Sequence, residues 1–322
     1  RELRDLFWKW NADRHGWDGD GTSTTYSPSI GTTIGAVIDL ITEAGDGVIL
    51  QPPVFTDFKP LIRRAKREPI TNPLVLEDGV YGMDLDHLEE VASDPATKLM
   101  ILCNPHNPVG RVWTRDELAE VGAICARHDV FVFSDEIHGD IVLGENPFVP
   151  FGSIDHDESL RWASGASPIK AFGLAGVADT FFISADAGIN DGFRAMSSRL
   201  HLVRNNVFAL AAMTAAYRDG AEWLDGFTTT ISERFDLLRD GLPEPIRLIE
   251  PEGTYLAWID LRDLGLEVPE LTRWLVDEAR IALSPGHWFG RQGAGFARMT
   301  IAVPEDQLVE ALERLRTVVG RS

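Results

Sequence analysis

Only two cysteines, Cys103 and Cys125, occur in 322 residues. Both sit in apolar runs and read as buried free thiols in a reducing compartment, which excludes a disulfide-stapled secreted scaffold. No apolar run approaches the roughly 18 residues that a membrane helix needs, and no signal peptide opens the chain. A cytoplasmic protein without a membrane partner is therefore expected. Positive charge is scarce: 30 Lys and Arg stand against 50 Asp and Glu, for a formal net charge of -20. Such a surface repels nucleic acid and anionic lipid, so neither is an expected partner. Repeats, low-complexity tracts and blocks of like charge are missing too. There is no Walker-type phosphate loop and no HExxH, and "GRQGAG" (290–295) has its glycines in the wrong order for a dinucleotide turn. "DGDG" (18–21) lacks the later ligands and closing Glu of a calcium loop. His106 and His138 follow strand-like runs with no third ligand at metal spacing, so no metal is expected.

What is there is an ordinary globular composition, 44% hydrophobic and 25% charged, in a chain long enough for a large core and two domains. Short β-rich runs recur at 47–51, 98–103, 130–136 and 179–185. Between them lie stretches with apolar residues at three-to-four spacing, at 34–45, 83–94 and 115–129. The last opens on Thr114 with Glu117 three residues on, a capping-box pattern. Continuous apolar strands alternating with amphipathic helices predict an α/β fold, a mostly parallel sheet sandwiched by helices. From about 205 the character changes. A long helical tract runs to 242, followed by strands at 254–261 and 296–303, a helix near 268–281 and a terminal helix. That reads as a smaller α+β domain at the C-terminal end.

The segment "SGASPIKAFGLAG" (164–176) holds one charged side chain, Lys170, among small and apolar ones. Lysine is seldom buried without a partner. Other strand-like runs end in polar residues: "LMILC" in "NPHNPVG" and "VFVF" in "SDEIHGD". Ligands of parallel α/β sheets bind beyond the carboxyl ends of the strands, so Asn107, Asp135, His138 and Lys170 are expected to converge on one crevice. A carboxylate at the end of an apolar strand is costly unless a cation meets it. A lysine in apolar surroundings has a lowered pKa and becomes a usable amine nucleophile. Pyridoxal phosphate needs this pair: it forms a Schiff base with a lysine, and an acid keeps its ring nitrogen protonated. A phosphate cradle is also needed, and "SPSIGTTIGAVIDLI" (27–41) supplies a Gly and two Thr at the head of a helix.

With those residues in view, the chain resembles the fold-type I pyridoxal-phosphate enzymes, aminotransferase class I/II. Within them it is most similar to the cystathionine β-lyase, or C–S lyase, branch. The stretches that carry the likeness are "GDGVILQPPVFTDF", "LCNPHNPVGRVWTRDEL", "SDEIHGD", "SPIKAFGLAG", "EGTYLAWIDL", "SPGHWFG" and "FARMTIAV", in family order over nearly the whole chain. The resemblance implies that Lys170 holds the cofactor and shuttles protons at the substrate's α-carbon. It implies that Asp135 pairs with the pyridinium nitrogen, Asn107 bonds the ring's 3′-oxygen and Phe55 stacks on the ring. Gly31, Thr32 and Ser167 would bind the phosphate, and Arg298 would clamp the substrate α-carboxylate, for which a planar guanidinium is suited. His138 stands where many aminotransferases of this fold carry Tyr, as "DEIY", and where the lyase branch usually reads "DEIH". Ile169 and Gly173 depart from the family's usual Ser before the lysine and Asn after it.

The resemblance further implies three regions: a remnant of an N-terminal small-domain segment at 1–18, a large cofactor-binding domain at 19–225 and a small C-terminal domain at 226–322. The chain begins at "RELRDLFWKW" with no initiator Met. Family members carry several dozen residues ahead of the stretch matching "FWKWNADRHGW", including an arm and a Tyr lent to the neighbouring subunit, so upstream residues are expected. A homodimer is expected on the same ground. The leading expectation is a β-eliminating C–S lyase acting on sulfur amino acids, with an aminotransferase as the second and a non-catalytic fold relative as the third.

Overall fold

The computed structural model describes residues 2–202 and 205–320. The chain opens with helix α1 (Glu2–His15), strand β1 (Ser23–Ser27) and helix α2 (Ile30–Ile41). Strand β2 (Gly47–Leu50), α3 (Phe58–Arg64), β3 (Glu68–Thr71), the hairpin β4 (Val75–Glu77) and β5 (Val80–Gly82), and α4 (Leu85–Ala92) follow. Next come β6 (Thr97–Cys103), α5 (Arg115–Arg127), β7 (Phe131–Asp135), β8 (Trp162–Ala166) and β9 (Thr180–Ser184). Helices α6 (Ala187–Arg199), α7 (Val207–Asp219) and α8 (Ala221–Gly241) lead to β10 (Arg247–Ile249) and β11 (Leu256–Asp260). The chain then runs through α9 (Val268–Arg273), β12 (Ser284–Pro285), β13 (Phe296–Thr300) and α10 (Glu305–Val319).

Seven strands form one sheet in the order β1-β9-β8-β7-β6-β2-β3. The pairs from β3 to β8 are parallel, as the alternating pattern predicts, and β9 and β1 are antiparallel additions at one edge. The central strands are buried along their length, because both sheet faces are covered. On one face Val48, Leu50, Leu99, Ile101, Phe131 and Phe133 pack against α2 and α3. On the other, Met100, Leu102 and Val132 meet α5 through Leu118, Val121 and Cys125. Helix α5 starts where the sequence places it: the Thr114 side chain accepts from the Glu117 N–H and Glu117 reaches back.

A second, four-stranded antiparallel sheet, β10-β11-β13-β12, packs with α8 and α10 around Phe235, Ile259, Ala297 and Leu312. The helical tract expected over 205–242 divides at Gly220 into two helices. A Cβ there would lie 2.4 Å from both the Ala216 carbonyl and the Phe172 ring, so glycine is what lets the lysine-bearing loop sit against this junction. The helix expected over 268–281 is shorter and passes into a π-helical turn at 274–278. Helix α1, set apart in the sequence expectation, lies in the large cluster: Phe7 stacks on Phe181 at 4.1 Å and meets Tyr217 edge-on at 5.7 Å.

Candidate active site

The site is built at the carboxyl ends of β6, β7 and β8. Asp135 closes β7, in register with Cys103 on β6 and Gly165 on β8. Backbone bonds continue the ladder past the strand ends, Asn104 N–H to the Asp135 carbonyl (3.0 Å) and Glu136 N–H to that of Gly165 (2.9 Å). The loops that leave the three strands are thereby held side by side. Lys170 sits on the loop leaving β8 and entering β9. Because β8 runs parallel to β7, Lys170 lies at the carboxyl end of a parallel strand, where ligands of such sheets bind. The residues after it are not buried as the composition implied: Gly173 and 175–177 are exposed in a turn, while Ala171 is fully covered.

Asp135 is 4% exposed, and its carboxylate accepts a bond from the Ile137 N–H at 3.3 Å. Burial pushes its carboxyl up to about 7, with the Ile137 amide and the nearby Lys170 charge pulling it back. The Lys170 ammonium is lowered, first by burial; Asp135 opposes that shift and Arg298 adds to it. His138 is buried with both ring nitrogens unpartnered among the described residues. Burial, then the charges on Lys170 and Arg298, holds its imidazole down at about 3, so it is neutral. Arg298, on β13, donates to Asn107 Oδ1 at 2.9 Å and lies over the Phe289 ring at 4.7 Å. Lys170, Asp135, His138, Arg298 and Asn107 therefore form one coupled group, drawn from both sheets.

The remaining expected residues sit around it. Ser29 caps α2, taking the Thr32 N–H at 3.1 Å and meeting the Thr32 hydroxyl at 3.0 Å. That leaves Gly31 in the first turn, where helix amides lack internal partners. This helix end reaches the site through Ile30: a Cβ on Gly165 would lie 2.3 Å from its Cδ1. Ser167 donates to the Asp179 carbonyl at 2.7 Å and accepts from the Ile169 N–H at 3.3 Å. A hydroxyl has one proton, so in this arrangement it braces the lysine loop and offers an anion no donor. Phe55 packs edge-on against Phe58 at 5.5 Å and lines a cavity together with Phe289. Three neighbours were not singled out from sequence. Phe289 carries the Arg298 guanidinium, Ser284 stands 3.5 Å from that guanidinium, and Tyr255 meets the His138 ring at 5.7 Å. All lie within "SPGHWFG" and "EGTYLAWIDL", and the second sheet's register sets Ser284 and Trp258 opposite Arg298.

The family model for aminotransferase class I and II matches residues 2–315. The chain belongs to this family of fold-type I, pyridoxal-phosphate-dependent enzymes. It is 35% identical over 324 residues to cystathionine beta-lyase PatB of Bacillus subtilis, covering 99% of this chain and 84% of that protein. It is 32% identical to protein MalY of Escherichia coli over 95% of this chain and 79% of that one. Among solved structures, cystalysin from Treponema denticola, which contains pyridoxal 5′-phosphate, superposes with a TM-score of 0.94 at 31% identity, over 99% of this chain and 82% of the other. The residues here fit that cofactor. A buried carboxylate lies within electrostatic reach of an amine with a lowered pKa, as a group carrying a cationic ring nitrogen and an aldehyde requires.

Proposed function

We propose that the chain is a pyridoxal-phosphate-dependent β-eliminating C–S lyase, converting an S-substituted cysteine and water to a thiol, pyruvate and ammonia. The observation that carries this reading is the buried Asp135 carboxylate beside the half-buried Lys170 amine at the ends of β7 and β8. The cofactor, when bound, supplies an electron sink for a carbanion at the substrate α-carbon. The chain's own groups do the rest. Asp135 keeps a proton on the ring nitrogen, because burial makes its charge expensive without a cation opposite. Arg298, steered by Asn107 and Phe289, binds the α-carboxylate bidentately and so fixes which α-bond faces Lys170. The Lys170 amine, its pKa lowered, takes the α-proton as general base. The Cβ–S bond then breaks, and the thiolate leaves with the bonding pair and takes up a proton.

His138 and the relatives whose names say cystathionine beta-lyase, at 33–35% identity, favour elimination over transamination. In this reading Gly31, Thr32 and Ser167 surround the phosphate and Phe55 stacks on the ring, with Ser167 turning its hydroxyl from the Asp179 carbonyl. The working unit is a homodimer, a reading supported by the exposed apolar side chains Val207, Phe208 and Trp223 at the heads of α7 and α8. A reducing, cytoplasmic setting is supported by Cys103 and Cys125, both buried free thiols. No helix among the described residues is long and apolar enough to cross a membrane. The test is an assay of the cofactor-loaded protein with cystathionine. Pyruvate released without any keto acid supports the lyase, whereas turnover that needs a keto-acid acceptor makes the chain an aminotransferase.

A further inference from the structure

A buried cluster of charge that no step of the reaction uses ties the second sheet to the first. Arg111 lies in the loop leaving β6, the loop that also carries Asn107, and its side chain is buried. Its Nε donates at 2.8 Å to the carboxylate of Glu252, which stands in the loop between β10 and β11. The same Glu252 oxygen accepts the Val112 N–H at 2.8 Å, and the other accepts from Asn146 Nδ2 at 3.3 Å. The rest of the Arg111 fork reaches the Tyr81 carbonyl and, at 3.2 Å, Glu117 of the α5 cap, while the guanidinium lies over the Trp113 ring at 4.8 Å. A buried ion pair adds little net stability, since desolvation offsets the attraction. What this one adds is a single permitted arrangement of the segments it joins.

The backbone around Glu252 is threaded between two loops of the active site. The Glu252 and Gly253 N–H groups donate to the Gly110 carbonyl at 2.8 and 2.9 Å. On the other side the Leu143 N–H donates to the Glu252 carbonyl at 2.8 Å, and the Thr254 N–H to that of Ile141 at 2.9 Å. A Cβ on Gly253 would lie 2.8 Å from both the Ile141 carbonyl and Val112 Cγ2, so glycine is what lets the loops approach this closely. The first of these loops carries Asn107 and the second His138. Directly after the threaded segment comes Tyr255, against the His138 ring, and then β11, whose Trp258 pairs with Arg298 on β13. The path from Glu252 to the Arg298 guanidinium thus runs through hydrogen-bonded backbone and ends on the Asn107 bond at 2.9 Å. Any turn of the second sheet against the first pivots at Glu252 and carries Arg298 away from Asn107.

We propose that Arg111 and Glu252 are positioning residues for the substrate α-carboxylate: their pair fixes the second sheet against the loops of the first and so holds Arg298 at the reach and angle that bidentate binding needs. The inference rests on the reading that Arg298 binds the α-carboxylate, and it holds whether elimination or transamination follows. Absorbance titration of the cofactor-loaded protein with L-alanine and with L-alaninamide tests it, because neither has a leaving group at Cβ and the two differ in the group that meets Arg298. The parent is expected to bind alanine roughly a hundredfold more tightly than the amide, two charge-assisted hydrogen bonds' worth. Glu252→Ala is expected to reduce that ratio about tenfold, with little change in the affinity for pyridoxal phosphate, which groups of the first sheet hold. Glu252→Gln, which keeps an oxygen for Arg111 and Val112, restores most of the ratio. In an Arg298→Ala background Glu252→Ala changes the ratio no further, since the pair acts through that guanidinium. Arg111→Lys, a cation without the fork that spans Glu252, Glu117 and Tyr81, lowers the ratio in the same way and decides the matter where Glu252→Ala does not fold. A parent ratio near one overturns the role of Arg298 and this inference with it. A high parent ratio that neither Glu252→Ala nor Arg111→Lys lowers, or that Glu252→Ala lowers equally in the absence of Arg298, overturns the positioning role alone.

Discussion

Replacing Asp135 by Asn separates the cofactor role of this residue from any structural one, because the two push stability in opposite directions. In the protein without cofactor, burial raises the carboxyl from its ordinary 3.8 to about 7. A native-state pKa above the unfolded one means that the folded protein holds the proton more tightly. Stability is therefore full below about pH 4, falls as pH rises through that window and levels off above pH 7. A shift of roughly three units at 1.36 kcal/mol each sets the loss at about 4 kcal/mol. Asn, similar in shape and always neutral, avoids it. Glu136, also pushed up by burial, to about 8, contributes to both proteins and largely cancels in the comparison. Urea unfolding of cofactor-free samples at pH 5 and pH 8 is the assay. The variant is expected to exceed the parent by about 2 kcal/mol at pH 5 and by about 4 kcal/mol at pH 8, while losing at least a hundredfold in kcat when cofactor is added. Equal pH dependence in the two proteins would refute the claim that Asp135 is a carboxylate held in readiness for a cation.

Arg298→Lys keeps the charge but loses the planar fork over Phe289, so kcat/KM should fall roughly 10- to 100-fold in steady-state assays, chiefly through KM. Gly286→Ala would set a Cβ 2.0 Å from the Gly293 carbonyl and 2.5 Å from that of Phe296. Backbone there must move, and thermal unfolding should show a loss of about 1–3 kcal/mol together with a raised KM, since the same loop carries Phe289. Phe182→Ala removes a fully buried ring stacked on Phe193 at 4.1 Å; a loss of about 3–5 kcal/mol is expected in denaturant unfolding, with little change in the KM of the remaining folded protein.

The parts of the fold that the sequence declares are those whose local pattern and tertiary setting agree. Strands β6 and β7 are unbroken apolar runs because the sheet is covered on both faces, and α5 carries its own capping box. Strand β8, "WASGA", has no such signal. Small residues are there because α2 approaches closely enough for Ile30 to touch Gly165, and its extended shape comes from pairing with β7 and β9. Strand β1, "STTYS", is likewise held as an edge by β9. Of the site, the lysine and aspartate are legible because charge in apolar surroundings needs a chemical reason. Phe289, Ser284 and Tyr255 are not, since aromatic and hydroxyl side chains in a β-rich domain look like ordinary packing until the fold brings them to Arg298 and His138.

The account depends on Lys170 being the amine that holds the cofactor. Borohydride reduction of the cofactor-loaded protein, followed by proteolysis and mass spectrometry, tests this most directly. The reduced pyridoxyl group is expected on the peptide containing Lys170 and to be missing from Lys170→Ala; its appearance on another lysine, or its persistence in that variant, would contradict the assignment.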